Sequence, residues 1–189
     1  MVSADIALDW LIEGNKDYMN AEKNHHGDIS FNRRLHTHKH GQFPIAVIVT
    51  CSDSRVIPES IFMKGIGDLF VIRLAGNVMG DYALGSIEYA IEHLECKLVM
   101  VMGHTACGAI SAAIDKDHIG YIGSITKEIK KAIGNEMNPT LATKLNVNNT
   151  IKKIMESEVV RKEINNGVKI VGSVYHTHSG RVELYWYLW

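Results

Sequence analysis

Cys51-Ser52-Asp53-Ser54-Arg55 and His104-Thr105-Ala106-Cys107-Gly108 decide the reading of this chain, because each closes an apolar run with groups that carry chemistry. The first follows Ile45-Ala46-Val47-Ile48-Val49-Thr50, and the second follows Lys97-Leu98-Val99-Met100-Val101-Met102 with only Gly103 between. Neither run alternates with polar residues, which is the pattern of strands covered on both faces. Asp68-Leu69-Phe70-Val71-Ile72-Arg73 is a third such run. Between it and Lys97, the stretch Tyr82 to Leu94 sets Ala83, Ile87, Ala90 and Ile91 at helical spacing. Strand, helix and strand at these distances imply right-handed crossovers and a mainly parallel central sheet flanked by helices. Such sheets gather ligands beyond the carboxyl ends of their strands. Cys51 and His104, 53 positions apart, are therefore expected at one sheet edge.

Outward from this centre the chain is less explicit. Ile6, Leu8, Leu11, Ile12 and Tyr18 recur near helical spacing after Ser3, a good N-cap, so Ala4 to about Lys23 is expected as an amphipathic helix. His25 to Gln42 is polar and rich in His and Asn, and is expected as a long connection. After Cys107 helices are expected to about Asn165, with a break near Gly134 to Pro139. Val168 to Tyr175 and Arg181 to Tyr187 alternate, and His178-Ser179-Gly180 between them suggests a hairpin turn.

Composition narrows the class. The 189 residues are expected to form one domain, residues 1–189, with 1–24 as an N-terminal helical arm. A net charge of −1 gives no reason to invoke nucleic acid or an anionic membrane. The apolar runs fall far short of the roughly 18 residues that span a bilayer, and the first residues lack a basic leader, so a cytoplasmic protein is expected. Three cysteines are too few for a disulfide scaffold; beside a histidine they suggest metal ligands or catalytic groups.

Two thiolates and one imidazole can hold a zinc ion and leave its fourth position free, the arrangement of a catalytic site. Cys51, His104 and Cys107 supply that set. Cys107 is expected in the first turn of a helix, whose dipole favours its thiolate. Two thiolates cancel the ion's charge, so such a centre acidifies bound water less than three imidazoles would. Asp53 and Arg55 are close enough in sequence to pair, which would keep Asp53 ionised as a hydrogen-bond acceptor. Asp53 could alternatively close the site as a fourth ligand. Cys96 has no such company and is expected to be a packed thiol. His36-x-His38-x-His40 could place three imidazoles on one face of an extended segment, though a solvated loop is the simpler reading. His176 and His178 are expected to face solvent near the turn. Arg73, Gly76 and Asn77 follow a strand and either line the site or shape the turn. Gly65 and Gly67 precede a strand and lack a third glycine, so no nucleotide site is expected.

Cys-Ser-Asp-Ser-Arg-Val at 51–56 and His-Thr-Ala-Cys-Gly-Ala at 104–109 closely resemble the two signatures of the β-class carbonic anhydrases. The likeness extends from about Gln42 to Gly108, with a looser echo from Val174 to Gly180. The resemblance implies a zinc lyase that hydrates CO2 reversibly to bicarbonate and a proton through attack of zinc-bound hydroxide. Cys51, His104 and Cys107 would be the ligands of one Zn2+ per chain, and Asp53 with Arg55 the dyad that orients hydroxide. Gln42 sits where the plant-like branch places a substrate-binding glutamine, and Gly108 would also lie at the substrate. The resemblance further implies a homodimer, or a higher homo-oligomer, whose N-terminal helix embraces the partner; the Ala4 to Lys23 helix fits that and could equally pack on its own subunit. The bicarbonate-regulated branch carries tryptophan and glycine where this chain has Ile48 and Thr50, which speaks against that regulation. Hydrolysis of COS or CS2 on the same scaffold, and a non-catalytic structural zinc protein, are the alternative readings.

Overall fold

The computed structural model describes residues 2–21, 26–115 and 118–188, with the backbone alone for 186–188. Five strands form one sheet: β1 (Ala46–Thr50), β2 (Leu69–Arg73), β3 (Leu98–His104), β4 (Lys169–Tyr175) and β5 (Val182–Leu188). Their spatial order is β2-β1-β3-β4-β5. The first four are mutually parallel, and β5 returns antiparallel to β4. From β1 the chain steps to β2 on one side and then to β3 on the other. The strand order therefore reverses between β1 and β3, and a crevice opens beyond their carboxyl ends. Thr50 pairs with Met102, so Cys51 and His104 emerge into that crevice at nearly the same height.

The all-apolar strands are sandwiched as their sequences require. One face packs Val47, Val49, Val99 and Val101 against helix α4 (Asp81–Glu92), α7 (Pro139–Ile154) and α8 (Glu158–Ile164). The other packs Ile48, Leu98, Met100 and Met102 beneath α1 (Ala4–Asn20) and α3 (Pro58–Ile61). A third apolar cluster joins α5 (Gly108–Asp115) and α6 (Gly120–Ile133) to the buried thiols of Cys51 and Cys107. The helical stretch after Cys107 breaks at Gly134, as its sequence suggests, and again at Ser157, whose hydroxyl caps α8.

Ser3 caps α1 through Ile6 N–H, and the helix ends at Asn20 with Ala21 as its C-cap; Lys23 and His25 lie outside the described residues. The helix buries Ala4, Ala7 and Leu11 on its own sheet. Asn15, only 4% exposed, staples it there. Its amide donates to Ile61 O (3.2 Å) and Gly180 O (2.9 Å), and its carbonyl accepts from Val182 N–H (2.8 Å).

The polar stretch expected as a connection contains a helix, α2 (Phe31–His40). Ser30 caps it through Arg33 N–H, and Arg33 pairs with Asp68 at 2.5 Å. The helix buries none of its own residues, so the apolar periodicity that reveals helices is absent. His36 and His40 lie one turn apart with ring centroids at 4.6 Å, whereas His38 sits off that row. The three imidazoles do not share a face.

A β-carbon at Gly14 would lie 2.0 Å from Phe62 O, so α1 reaches α3 only because residue 14 lacks a side chain. Gly14→Ala is expected to destabilise the fold by about 2 kcal/mol, the usual scale of overpacking, and urea denaturation checks this.

Candidate metal centre

The donor atoms of Cys51, His104 and Cys107 lie within 4.8 Å of one another, and all three residues are buried. Each arrives by a different device. Cys51 is the residue at which β1 leaves the sheet. His104 is the last residue of β3, held in register opposite Tyr175 of β4. Cys107 follows a tight turn through Ala106, which is left-handed (φ 55°), and its carbonyl accepts the Ser111 N–H that opens α5.

The imidazole of His104 is wholly buried and half satisfied. Its Nδ1 lies 2.9 Å from Thr105 O, a contact that requires Nδ1 to carry the proton and donate it. Nε2 is left with a bare lone pair, and no protein group meets it. A buried acceptor without a partner is costly. Here two sulfurs lie within 4.8 Å of the ring, so the residues fit a thiophilic, imidazole-binding cation such as zinc. The carbonyl behind it is itself fixed: Thr105 Oγ1 accepts from Thr177 N–H at 3.0 Å and lies 3.1 Å from the Thr177 hydroxyl.

The two thiols share their acidity unequally. Cys51 is held well below the ordinary thiol range, first by the hydrogen bond from Cys107 and, against the opposing effect of burial, also by His104 and the Gly76 N–H. Cys107 is pushed up by the same shared proton and by burial, although the Ile110 and Ala109 amides of α5 pull the other way.

Asp53 and Arg55 form the expected pair, with Arg55 Nε 2.9 Å from Oδ1 and an Nη 2.7 Å from Oδ2. The same Nη donates to Ala106 O at 3.0 Å and so ties the Asp53 loop to the Cys107 loop. Arg55 holds the Asp53 carboxyl well below its usual range through its side chain, against the opposing effect of burial and with further help from its backbone N–H. Asp53 Oδ2 stands 3.9 Å from His104 Nε2, at the rim of the centre.

Other positions resolve differently. Arg73 donates to the Cys51 and Asp53 carbonyls (3.2 and 2.8 Å), and Gly76 N–H donates to Cys51 Sγ (3.2 Å), so the turn after β2 lines the centre's outer side. Gly108 opens α5 beside Cys107, and a side chain there would meet no atom within 4 Å. Gln42 is not brought to this centre. It lies before β1, at the opposite sheet edge, in a cavity of about 400 Å3 shared with His93 and Cys96. Cys96 is the packed thiol expected, with its sulfur against Pro44 O at 3.0 Å. His178 is exposed, but His176 is partly buried and lies 3.0 Å from Glu183, against expectation. Ile48 and Thr50 are fully buried, and the Thr50 hydroxyl donates to Met102 O (2.8 Å). Thr105, Asn146 and Thr150 went unread in the sequence. The available signal was the polar pair Asn146 and Thr150, one turn apart on the apolar face of α7.

A model of the carbonic anhydrase family matches residues 46–182. The chain belongs to that family. The match begins at β1 and contains every residue of the centre, while α1 and α2 lie outside it. Over 155 residues the chain is 37% identical to a carbonic anhydrase of Mycolicibacterium smegmatis, covering 76% of this chain and 75% of the relative. A β-carbonic anhydrase of Aspergillus fumigatus superposes with a TM-score of 0.72 at 27% identity, covering 82% of this chain and 81% of that one. One of two tetrameric β-carbonic anhydrases of Sordaria macrospora gives 0.71 at 26% identity, covering 95% and 94%. The chain is thus a carbonic anhydrase of the β class, with that class's sheet.

A carboxyl pKa lowered on folding contributes stability above its unfolded value, near 3.9. That contribution is lost as pH falls below this value and through the folded one. Asp53 is therefore expected to stay ionised throughout the mildly acidic range. Arg55→Gln is expected to return its pKa toward 3.9; a carboxyl-carbon NMR titration of Asp53 in both proteins measures the difference.

Proposed function

We propose that this carbonic anhydrase hydrates CO2 reversibly to bicarbonate and a proton with one zinc ion held by Cys51 Sγ, His104 Nε2 and Cys107 Sγ. The observation that carries this is the bare, buried Nε2 of His104 facing two thiols beside an ionised carboxylate. Bound there, zinc supplies Lewis-acid activation of water at a fourth, open position.

The chain's own groups do the rest. Asp53 accepts the hydrogen bond of the attacking water and orients its lone pair toward the CO2 carbon. Each carboxylate oxygen has two acceptor sites. Arg55 takes both on Oδ1, through its backbone N–H and Nε, and one on Oδ2, which leaves a site on Oδ2 for the water while restraining Asp53 from swinging inward as a fourth ligand. Gly108 leaves room for a small linear molecule beside Cys107. Gln42 faces away from its own centre, so its substrate role in this reading belongs to a neighbouring copy, in a homodimer or larger homo-oligomer. The tetrameric relatives from Sordaria macrospora support an assembly of this kind. Among the described residues no helix is long and apolar enough to cross a membrane. We place the enzyme in the cytoplasm because its three cysteines are free thiols, as a reducing compartment keeps them.

Stopped-flow CO2 hydration and zinc content on the same sample test the reading. Asp53→Ala is expected to keep about one zinc per chain and to lose hydration by roughly 100-fold or more. Cys107→Ala is expected to lose both. Full zinc with no hydration at any pH would reject the proposal in favour of COS or CS2 hydrolysis or a structural zinc.

A further inference from the structure

The turn that closes β2 contains two consecutive left-handed residues, Gly76 (φ 65°) and Asn77 (φ 45°). Glycine adopts that backbone freely and asparagine tolerates it, but neither is held there by its own preference. One backbone bond within the turn, Asn77 N–H to Leu74 O at 2.8 Å, is joined by a side-chain restraint from α7, 70 positions further along the chain. Asn146 Nδ2 donates to Gly76 O at 2.7 Å. Thr150 Oγ1 donates to Asn77 O at 2.9 Å. Asn146 is 2% exposed and sits on the helix face that buries Val147, Ile151 and Ile154. A carboxamide there is costly unless its hydrogen bonds are made. The residue is built for the turn, and the turn is built for the centre, because the Gly76 N–H points at Cys51 Sγ (3.2 Å). The turn is also packed tightly: a β-carbon at Gly76 would lie 2.7 Å from Ile129 Cδ1 and 3.1 Å from Ala109 Cβ.

We propose that Asn146 is a positioning residue of the metal centre: by holding the Gly76 carbonyl, it aims the Gly76 N–H at the Cys51 sulfur. The proposal rests on the reading of Cys51 as a metal ligand. Asn146 touches neither substrate nor ligand and acts only through the turn. An N–H···S bond fixes the rotamer of the sulfur and draws charge from it. Loss of such outer partners typically costs 10- to 100-fold in metal affinity or activity.

The test uses the full chain loaded with cobalt(II), whose thiolate charge-transfer absorption reports on the Cys51 sulfur. Asn146→Leu is compared with wild type and with Val160→Ala, a core truncation in α8 that lowers stability without touching the turn. Asn146→Leu is expected to shift the charge-transfer band and to release cobalt to a chelator on the order of tenfold faster, while Val160→Ala does neither. If Asn146→Leu does not accumulate folded, Asn146→Ser, too short to reach the same carbonyl, carries the same expectation. A band and release rate matching those of Val160→Ala would overturn the proposal. A wild-type protein that binds no cobalt would overturn the metal reading itself and the proposal with it, a result distinct from the first.

Discussion

A buried imidazole with one satisfied nitrogen and one bare nitrogen is the constraint around which this molecule is arranged. Strand β3 must run to His104 so that the ring leaves the sheet with its Nδ1 against the next carbonyl. Strand β1 must end at the same height so that Cys51 faces Nε2. The turn into α5 must be tight enough to return Cys107 within three residues. Two sulfurs and an unpartnered lone pair thus share one buried space, where a cation would satisfy all three. The fold supplies the crevice through its strand order, and the crevice brings together groups that favour one kind of ion.

Around that centre the chain places a ring of backbone and guanidinium contacts in which few groups serve once. Arg55 orders the Asp53 carboxylate and also ties two loops; Arg73 gathers two carbonyls of the first loop; Gly76 gives its amide to a sulfur. These are mostly contacts to main chain, so they fix loop shape as well as side-chain direction.

The strands, the crossover helix and the convergence of Cys51, His104 and Cys107 were legible because their signals are local. Apolar runs announce buried strands, and two short motifs at strand ends announce a centre. What stayed hidden was non-local or lacked periodicity. Helix α2 lies on the surface with no buried residue of its own, so only Ser30 marked its start. Asn146 and Thr150 lie in a helix that the pattern suggests, but their partners are 70 and 73 positions away. Gln42 shows the converse limit: the spacing to Cys51 was visible, yet a nine-residue interval that includes a five-residue strand puts its ends at opposite sheet edges. The N-terminal helix went to its own sheet because a small-residue stripe, Ala4, Ala7 and Gly14, fits closely over α3 and the strands.

The Asn15 staple carries a further meaning. One side chain joins the first helix, the helix after the Asp53 loop and the hairpin of β4 and β5, whose Thr177 in turn holds the side chain of Thr105 behind His104. The first helix and the hairpin of β4 and β5 are thus joined through one side chain, with 165 and 167 positions between Asn15 and its hairpin partners. A newly made chain cannot brace Thr105 behind His104 until Thr177, 72 positions further on, has been synthesised. Maturation of the site therefore awaits residues far downstream of the central motifs and does not follow from those motifs alone.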